Sequence, residues 1–144
     1  TGNPEKRTTL CGFPGLRNWI DNKILTIEFE GISYTNFVIK QNKWPDKLSY
    51  GRIPDVSVDV LLPYNLNEEM WQQDEKSGNF AKLSDPHGMS GGGYWHDTYE
   101  SGIWTAESFK LIAIQSEWDK KLNIARGVQI EHWLNLVKEN YLDS

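Results

Sequence analysis

The chain has 144 residues, a formal net charge of −5 and 12% aromatic residues, which suits one folded domain with a hydrophobic core rather than a disordered segment. Its scattered Lys and Arg argue against a nucleic-acid-binding surface, and its single cysteine, Cys11, excludes an internal disulfide framework. No apolar run is long enough to span a membrane, no signal peptide is visible and no Asn-x-Ser/Thr sequon occurs, so we expect a cytoplasmic protein without membrane contact.

Alternation of apolar and polar residues predicts short strands in the first half of the chain, after a polar lead-in. A Pro-Gly turn stops the first strand, and the third strand is expected to pair back on the second. In the fourth, Val56, Val58 and Val60 share one face, and Pro63 ends the strand. The predicted strands lie at residues 8–15, 24–30, 33–41 and 55–62.

The second half begins with a polar, acidic stretch at 64–82, which is long enough to suggest a functional or mobile loop. Strands are predicted at 92–96, 109–118 and 123–130, with another loop at 97–107. Beyond them, the apolar residues fall on one helical face. These are Ile130, Trp133, Leu134, Val137 and Tyr141. About six strands and a terminal helix indicate a small barrel or sandwich that forms a single domain.

The most distinctive stretch is Asp85-Pro86-His87-Gly88-Met89-Ser90-Gly91-Gly92-Gly93. Glycine loses more conformational entropy on folding than any other residue, so four glycines around one serine indicate unusual dihedral angles or a close backbone approach. Such a turn can expose one hydroxyl and direct N–H groups at a single point, as a nucleophilic serine and its oxyanion hole require. The alternative is a glycine-rich hairpin turn that happens to contain a serine.

Four segments, taken in order, resemble the second barrel of a bacterial trypsin/chymotrypsin-like serine peptidase. They are residues 9–14, 88–92, 112–118 and 128–141, and together they extend over nearly the whole chain. The resemblance implies an all-β fold, a six-stranded antiparallel Greek-key barrel with a C-terminal α-helix. It implies one domain over residues 1–144, with strands from about 8 to 130 and the helix from about 130 to 142.

Carried over residue by residue, the resemblance implies that Ser90 is the nucleophile and that the N–H groups of Ser90 and Gly88 form the oxyanion hole. Ser84 falls at the floor of the family's specificity pocket, where a neutral side chain suits an apolar or aromatic group better than Lys or Arg. His87 is expected at the rim of the cleft. The segment expected to bind extended substrate by β-strand addition comprises Ile114, Gln115, Ser116 and Glu117.

The chain departs from the family pattern in three ways. Gly93 stands where a proline is common, and Met89 replaces an aspartate, so activation through that ion pair cannot operate. The family's catalytic histidine and aspartate belong to a first barrel, which we expect as a partner, either in the same protein or as a cleaved chain. This chain alone is therefore predicted to be nearly inactive.

The chain's own histidines offer weaker candidates. His96 and Asp97 are expected to begin a solvated loop, and together with Glu100 they match no zinc spacing, so we expect neither a metal nor a cofactor. The leading hypothesis is a serine endopeptidase domain acting on protein or peptide substrates. The alternative is a protease-like module that binds extended peptides without cleaving them. A phosphate-binding loop is disfavoured, because the turn precedes a strand and matches no P-loop pattern.

Overall fold

A computed structural model describes residues 7–13, 19–21, 26–28, 31–67, 69–73, 80–97 and 106–142. The strands, in chain order, are β1 (Arg7–Gly12), β2 (Trp19–Asp21), β3 (Thr26–Glu28), β4 (Ile32–Phe37), β5 (Asp59–Pro63), β6 (Glu69–Gln73), β7 (Phe80–Lys82), β8 (Gly93–Asp97), β9 (Phe109–Asp119) and β10 (Ile124–Gln129). Helix α1 (Ile130–Val137) follows and continues into a π-helical turn, Lys138–Leu142. None of the helices in these ranges has the length and apolar character needed to cross a membrane.

Six strands form one antiparallel sheet in the order β4-β1-β8-β9-β10-β5. The sheet curls into a half-barrel, and the N–H of Ile39, just after β4, reaches the carbonyl of Leu61 on β5 at 2.8 Å. This contact links the chain at one edge of the sheet to the strand at the other. The prediction of an all-β fold with six antiparallel strands and a C-terminal helix is therefore confirmed. Two separate two-stranded sheets are formed by β2 with β3 and by β6 with β7.

Three local predictions were wrong. The strand predicted at 33–41 does not pair back on its predecessor, because β4 pairs with β1 and β3 pairs with β2. The strand predicted at 55–62 begins only at Asp59, because the chain first makes a turn in which the Asp55 carbonyl accepts the Asp59 N–H at 2.7 Å. Val56 is exposed in this turn. The stretch 64–82 contains the hairpin β6–β7, while residues 68 and 74–79 lie outside the described ranges.

The core lies on the concave side of the sheet and consists mainly of aliphatic side chains and tyrosine rings. Leu10 on β1, Leu62 on β5 and Tyr94 on β8 are completely buried. The ring of Tyr64 packs edge-on against Tyr34, with 5.2 Å between ring centroids. Burial of these residues supplies the main driving force for the sheet to curl, because one apolar face must be removed from water.

A buried ion pair joins the edge strand β5 to its neighbour β10. Nε and Nη2 of Arg126, on β10, both lie 2.7 Å from Oδ1 of Asp59, on β5. The two side chains are 4% and 0% exposed. Burial acts to lower the pKa of Arg126, but the hydrogen bond and negative charge of Asp59, with Glu117, outweigh it and raise that pKa. The guanidinium therefore stays charged, and the carboxylates of Asp59 and Glu117 neutralise its charge.

Helix α1 carries the predicted apolar face, but no residue of the helix is buried. Trp133, Leu134 and Val137 are 46%, 52% and 45% exposed. An amphipathic helix normally turns its apolar face to a core. Here no described part of the chain packs against that face closely enough to bury it.

The ion pair leads to a stability prediction. We expect Asp59→Asn, which preserves side-chain size, to lower the free energy of unfolding by about 3 kcal/mol, because the buried Arg126 guanidinium loses the carboxylate bound by its Nε and Nη2 and keeps only Glu117, at 3.1 Å. Arg52 also contacts Asp59, at 3.3 Å, but its side chain is 40% exposed. As the matched control, Arg52→Gln should cost no more than about 1 kcal/mol. Equal losses for both variants in urea unfolding would contradict this account.

Candidate functional site

The glycine-rich stretch forms a compact turn between β7 and β8. The carbonyl of Pro86 accepts the Met89 N–H at 2.9 Å, and the carbonyl of Met89 accepts the Gly92 N–H at 2.9 Å. Gly88 and Gly91 both have φ of 91°, a value that residues with a Cβ rarely adopt. The glycines at these two positions therefore allow the chain to turn twice around Ser90.

Two backbone hydrogen bonds fasten the turn to β9. The Gly91 N–H donates to the carbonyl of Gln115 at 2.9 Å, and the Gln115 N–H donates to the carbonyl of Gly92 at 2.7 Å. Because Gln115 exchanges bonds with two consecutive residues after Ser90, the position of the serine is tied to a central strand of the sheet.

Met89 anchors the same turn from below. Its side chain is 1% exposed and belongs to the hydrophobic core, where it lies against Gly12. Gly92 passes so close to β1 that a Cβ on it would lie 2.4 Å from the carbonyl oxygen of Cys11. Met89 is thus a core side chain, and the turn rests on β1 through van der Waals packing.

Two N–H groups of the turn are left without acceptors among the described residues, those of Gly88 and Ser90. The neighbouring N–H groups are satisfied, including that of His87, which donates to Asp85 Oδ1 at 2.9 Å. Ser90 is exposed, and no described side chain lies within hydrogen-bonding distance of its hydroxyl. The turn thus offers two backbone donors and one hydroxyl to a molecule from outside.

Ser90 lies on a cleft of about 280 Å³ between the turn and the end of β9. Six of the predicted site residues line this cleft together with Pro86 and Trp118: His87, Gly88, Ser90, Gln115, Ser116 and Glu117. Two predicted residues are not among the lining residues. Ser84 lies beneath the turn, where its carbonyl accepts the Tyr64 hydroxyl at 2.8 Å, and Ile114 pairs with Gly93 and Val128 inside the sheet.

One edge of β9 is open beside the cleft. Strand β8 pairs with β9 only as far as Gly93, opposite Ile114, whereas β10 pairs with β9 to Asp119. Beyond Gln115, no strand in the described ranges pairs with β9 on the β8 side. The backbone of Ser116 to Trp118 is therefore placed where an extended peptide can add as a further strand.

Residues that the sequence did not single out hold in place Gln115 and Glu117, the two β9 residues that form one wall of the cleft. The Tyr94 hydroxyl donates to Oε1 of Gln115, whose Nε2 donates to the carbonyl of Glu117 at 2.8 Å. Complete burial raises the pKa of Tyr94 well above its ordinary value, so this phenol remains a donor.

Glu117 is held by two further residues. The Tyr50 hydroxyl donates to Oε2 of Glu117, and Nη1 of Arg126 lies 3.1 Å from the same oxygen. Burial and then the hydrogen bond to Glu117 raise the pKa of Tyr50. A signal for Arg126 was available in the sequence, because a single charge interrupts the apolar run Ile124 to Val128.

One histidine occupies a different environment from the one expected. His96 does not begin a solvated loop: it lies on β8, is 5% exposed, and its Nδ1 is 2.9 Å from Oγ1 of Thr8. Asp97 ends the same strand and pairs with Arg7 at 2.8 Å. His87 is exposed and lines the cleft with Ser90. The expectation failed for His96 because the strand continues to Asp97, so the alternation of β8 is kept and His96 lies on the same buried face as Tyr94.

Comparison with known proteins does not assign the chain to a family, since no family model matches it and no curated protein is similar to it. The site is therefore interpreted from its own geometry.

The packing of Met89 can be tested directly. Met89→Ala should lower the free energy of unfolding by about 2–5 kcal/mol, because it opens a cavity beneath the turn. Met89→Leu keeps nearly the same volume and should cost less than about 1.5 kcal/mol. Urea unfolding of both variants measures the difference. Similar small losses for both would show that the turn does not depend on this anchor.

Proposed function

We propose that the chain is a serine endopeptidase domain that hydrolyses peptide bonds through an acyl-enzyme on Ser90. The observation that carries the proposal is that one turn presents both an exposed serine hydroxyl and two N–H groups open to an acceptor. These N–H groups belong to Gly88 and Ser90 and lack acceptors among the described residues. Donors preset in this way stabilise the negative charge that develops on a carbonyl oxygen during acyl transfer.

In the proposed reaction, Oγ of Ser90 attacks the substrate carbonyl carbon and loses its proton to a general base. The carbonyl oxygen becomes an oxyanion and accepts hydrogen bonds from the N–H groups of Gly88 and Ser90. The tetrahedral intermediate collapses, the C–N bond breaks, and the amine leaves with the proton from the base. Water, deprotonated by the same base, then hydrolyses the ester and regenerates the Ser90 hydroxyl.

The base is proposed to be a histidine of a first barrel, oriented by an aspartate of that barrel. Among the described residues, His96 is buried against Thr8, and His87, which lines the cleft, makes no hydrogen bond to the Ser90 hydroxyl. The exposed apolar face of α1 supports the need for a partner domain. Trp133, Leu134 and Val137 would lose their contact with water if a second domain packed against that helix.

The open edge of β9 supports a peptide as the substrate. A peptide that adds along Ser116 to Trp118 gains backbone hydrogen bonds whatever its sequence, and it passes beside Ser90 in the same cleft. The alternative function, peptide binding without cleavage, uses this same edge. It is favoured because no described histidine or carboxylate makes a hydrogen bond to the Ser90 hydroxyl, although His87 and Glu117 line the same cleft.

Labelling with a fluorophosphonate probe distinguishes the two functions. With the histidine-bearing barrel present, wild-type protein should be tagged on Ser90, as located by peptide mapping, and it should cleave peptides. Ser90→Ala should lose the tag and reduce turnover by as much as about a million-fold. Ser33 is an exposed serine on β4, so Ser33→Ala serves as the matched control and should behave as wild type.

The 144-residue chain alone should label only slowly, because a serine hydroxyl without a base is a weak nucleophile. Peptide cleavage that survives in Ser90→Ala would rule out the proposed mechanism. Absence of a tag on folded protein that contains the first barrel would favour the peptide-binding alternative.

A further inference from the structure

The cleft beside Ser90 carries a single carboxylate. Of the described residues that line it, Glu117 is the only acid, and none is Lys or Arg. Its Oε2 is occupied by the Tyr50 hydroxyl and by Arg126, whereas Oε1 has no partner in the described part of the chain. The Glu117 side chain is 39% exposed. Its second oxygen is therefore accessible to a donor that enters the cleft.

Arg126 does not cancel this negative charge, because its guanidinium serves two carboxylates. Nε and Nη2 bind Asp59, and only Nη1 reaches Glu117. The other nearby cation, Arg52, contacts Asp59 at 3.3 Å and forms no ion pair with Glu117. Glu117 thus contributes negative charge to the cleft while Tyr50 and Arg126 hold its carboxylate in place.

We infer that Glu117 makes the cleft selective for a cationic side chain, Lys or Arg, of the bound peptide. An ammonium or guanidinium N–H would donate to Oε1, the oxygen left open by Tyr50 and Arg126. The expectation of an apolar or aromatic preference depended on Ser84, which does not line this cleft. The inference rests on the proposed function in one respect, that the cleft beside Ser90 is where substrate binds.

The test compares two small probes of nearly the same shape, the benzamidinium cation and neutral benzamide. Each is titrated into the ¹⁵N-labelled 144-residue chain, and binding is followed at the amides of Gln115, Ser116 and Glu117. Benzamidinium should bind roughly tenfold more tightly than benzamide, because a charge-assisted hydrogen bond is about twice as strong as a neutral one. Added salt should reduce the preference.

Glu117→Gln keeps the shape of the side chain and removes its charge, while Arg126 retains Asp59 as its counterion. In this variant the two probes should bind with equal affinity. Glu131 is an exposed acid on α1 outside the cleft, so Glu131→Gln should keep the tenfold preference. Thermal unfolding of both variants establishes that they are folded. If Glu117→Gln does not fold, the comparison of the two probes on the wild type still tests whether the cleft prefers a cation.

Equal binding of the two probes by the wild type, failure of benzamidinium to shift these amides, or a preference that survives in Glu117→Gln would overturn the inference. The measurement does not need the Ser90 hydroxyl, so Ser90→Ala should retain the preference for benzamidinium. A failed charge preference therefore leaves the nucleophile to be judged by fluorophosphonate labelling, and a failed labelling leaves the charge preference standing.

Discussion

The reciprocal hydrogen bonds between the glycine turn and Gln115 are the interaction on which the site depends. Gly91 and Gly92 bond to the carbonyl and the N–H of one residue on β9, and this places Ser90 beside the strand that borders the cleft. The same two bonds end the pairing of β8 with β9, so they also leave the edge of Ser116 to Trp118 open. One local contact thus sets both the position of the hydroxyl and the surface along which a peptide can lie.

Support for this contact comes from the core and from buried charge. Met89 holds the turn from below, and Tyr94 and Arg126 hold the residues of the cleft wall from behind. Such secondary contacts limit the motion of the groups that would face a substrate, which matters because small displacements of catalytic groups are costly. These contacts hold the turn and the cleft residues in place from the inner side of the sheet, and the side that faces the cleft remains accessible.

The sequence predicted the strand content, the terminal helix and the turn, because alternation, helical spacing and clustered glycines are local signals. It did not predict that β4 pairs with β1, since alternation specifies which face is buried but not the neighbouring strand. It placed His96 in solvent because it expected a loop to begin there, whereas β8 continues to Asp97 and its alternation puts His96 on the same buried face as Tyr94. Glu117 was found as part of a segment, but its contacts with Tyr50 and Arg126 join positions 67 and 9 residues apart, and no local pattern reports them.

The Met89, Gly91 and Gly92 N–H groups of the turn have acceptors among the described residues, whereas those of Gly88 and Ser90 have none. Amide hydrogen exchange, resolved by residue, measures this difference directly. We expect the amides of Gly91 and Gln115 to be strongly protected, while those of Gly88 and Ser90 exchange close to the rate of an unstructured peptide. Protection of Gly88 and Ser90 equal to that of Gly91 would contradict an open pair of donors beside Ser90, because these N–H groups would then already be engaged within the protein.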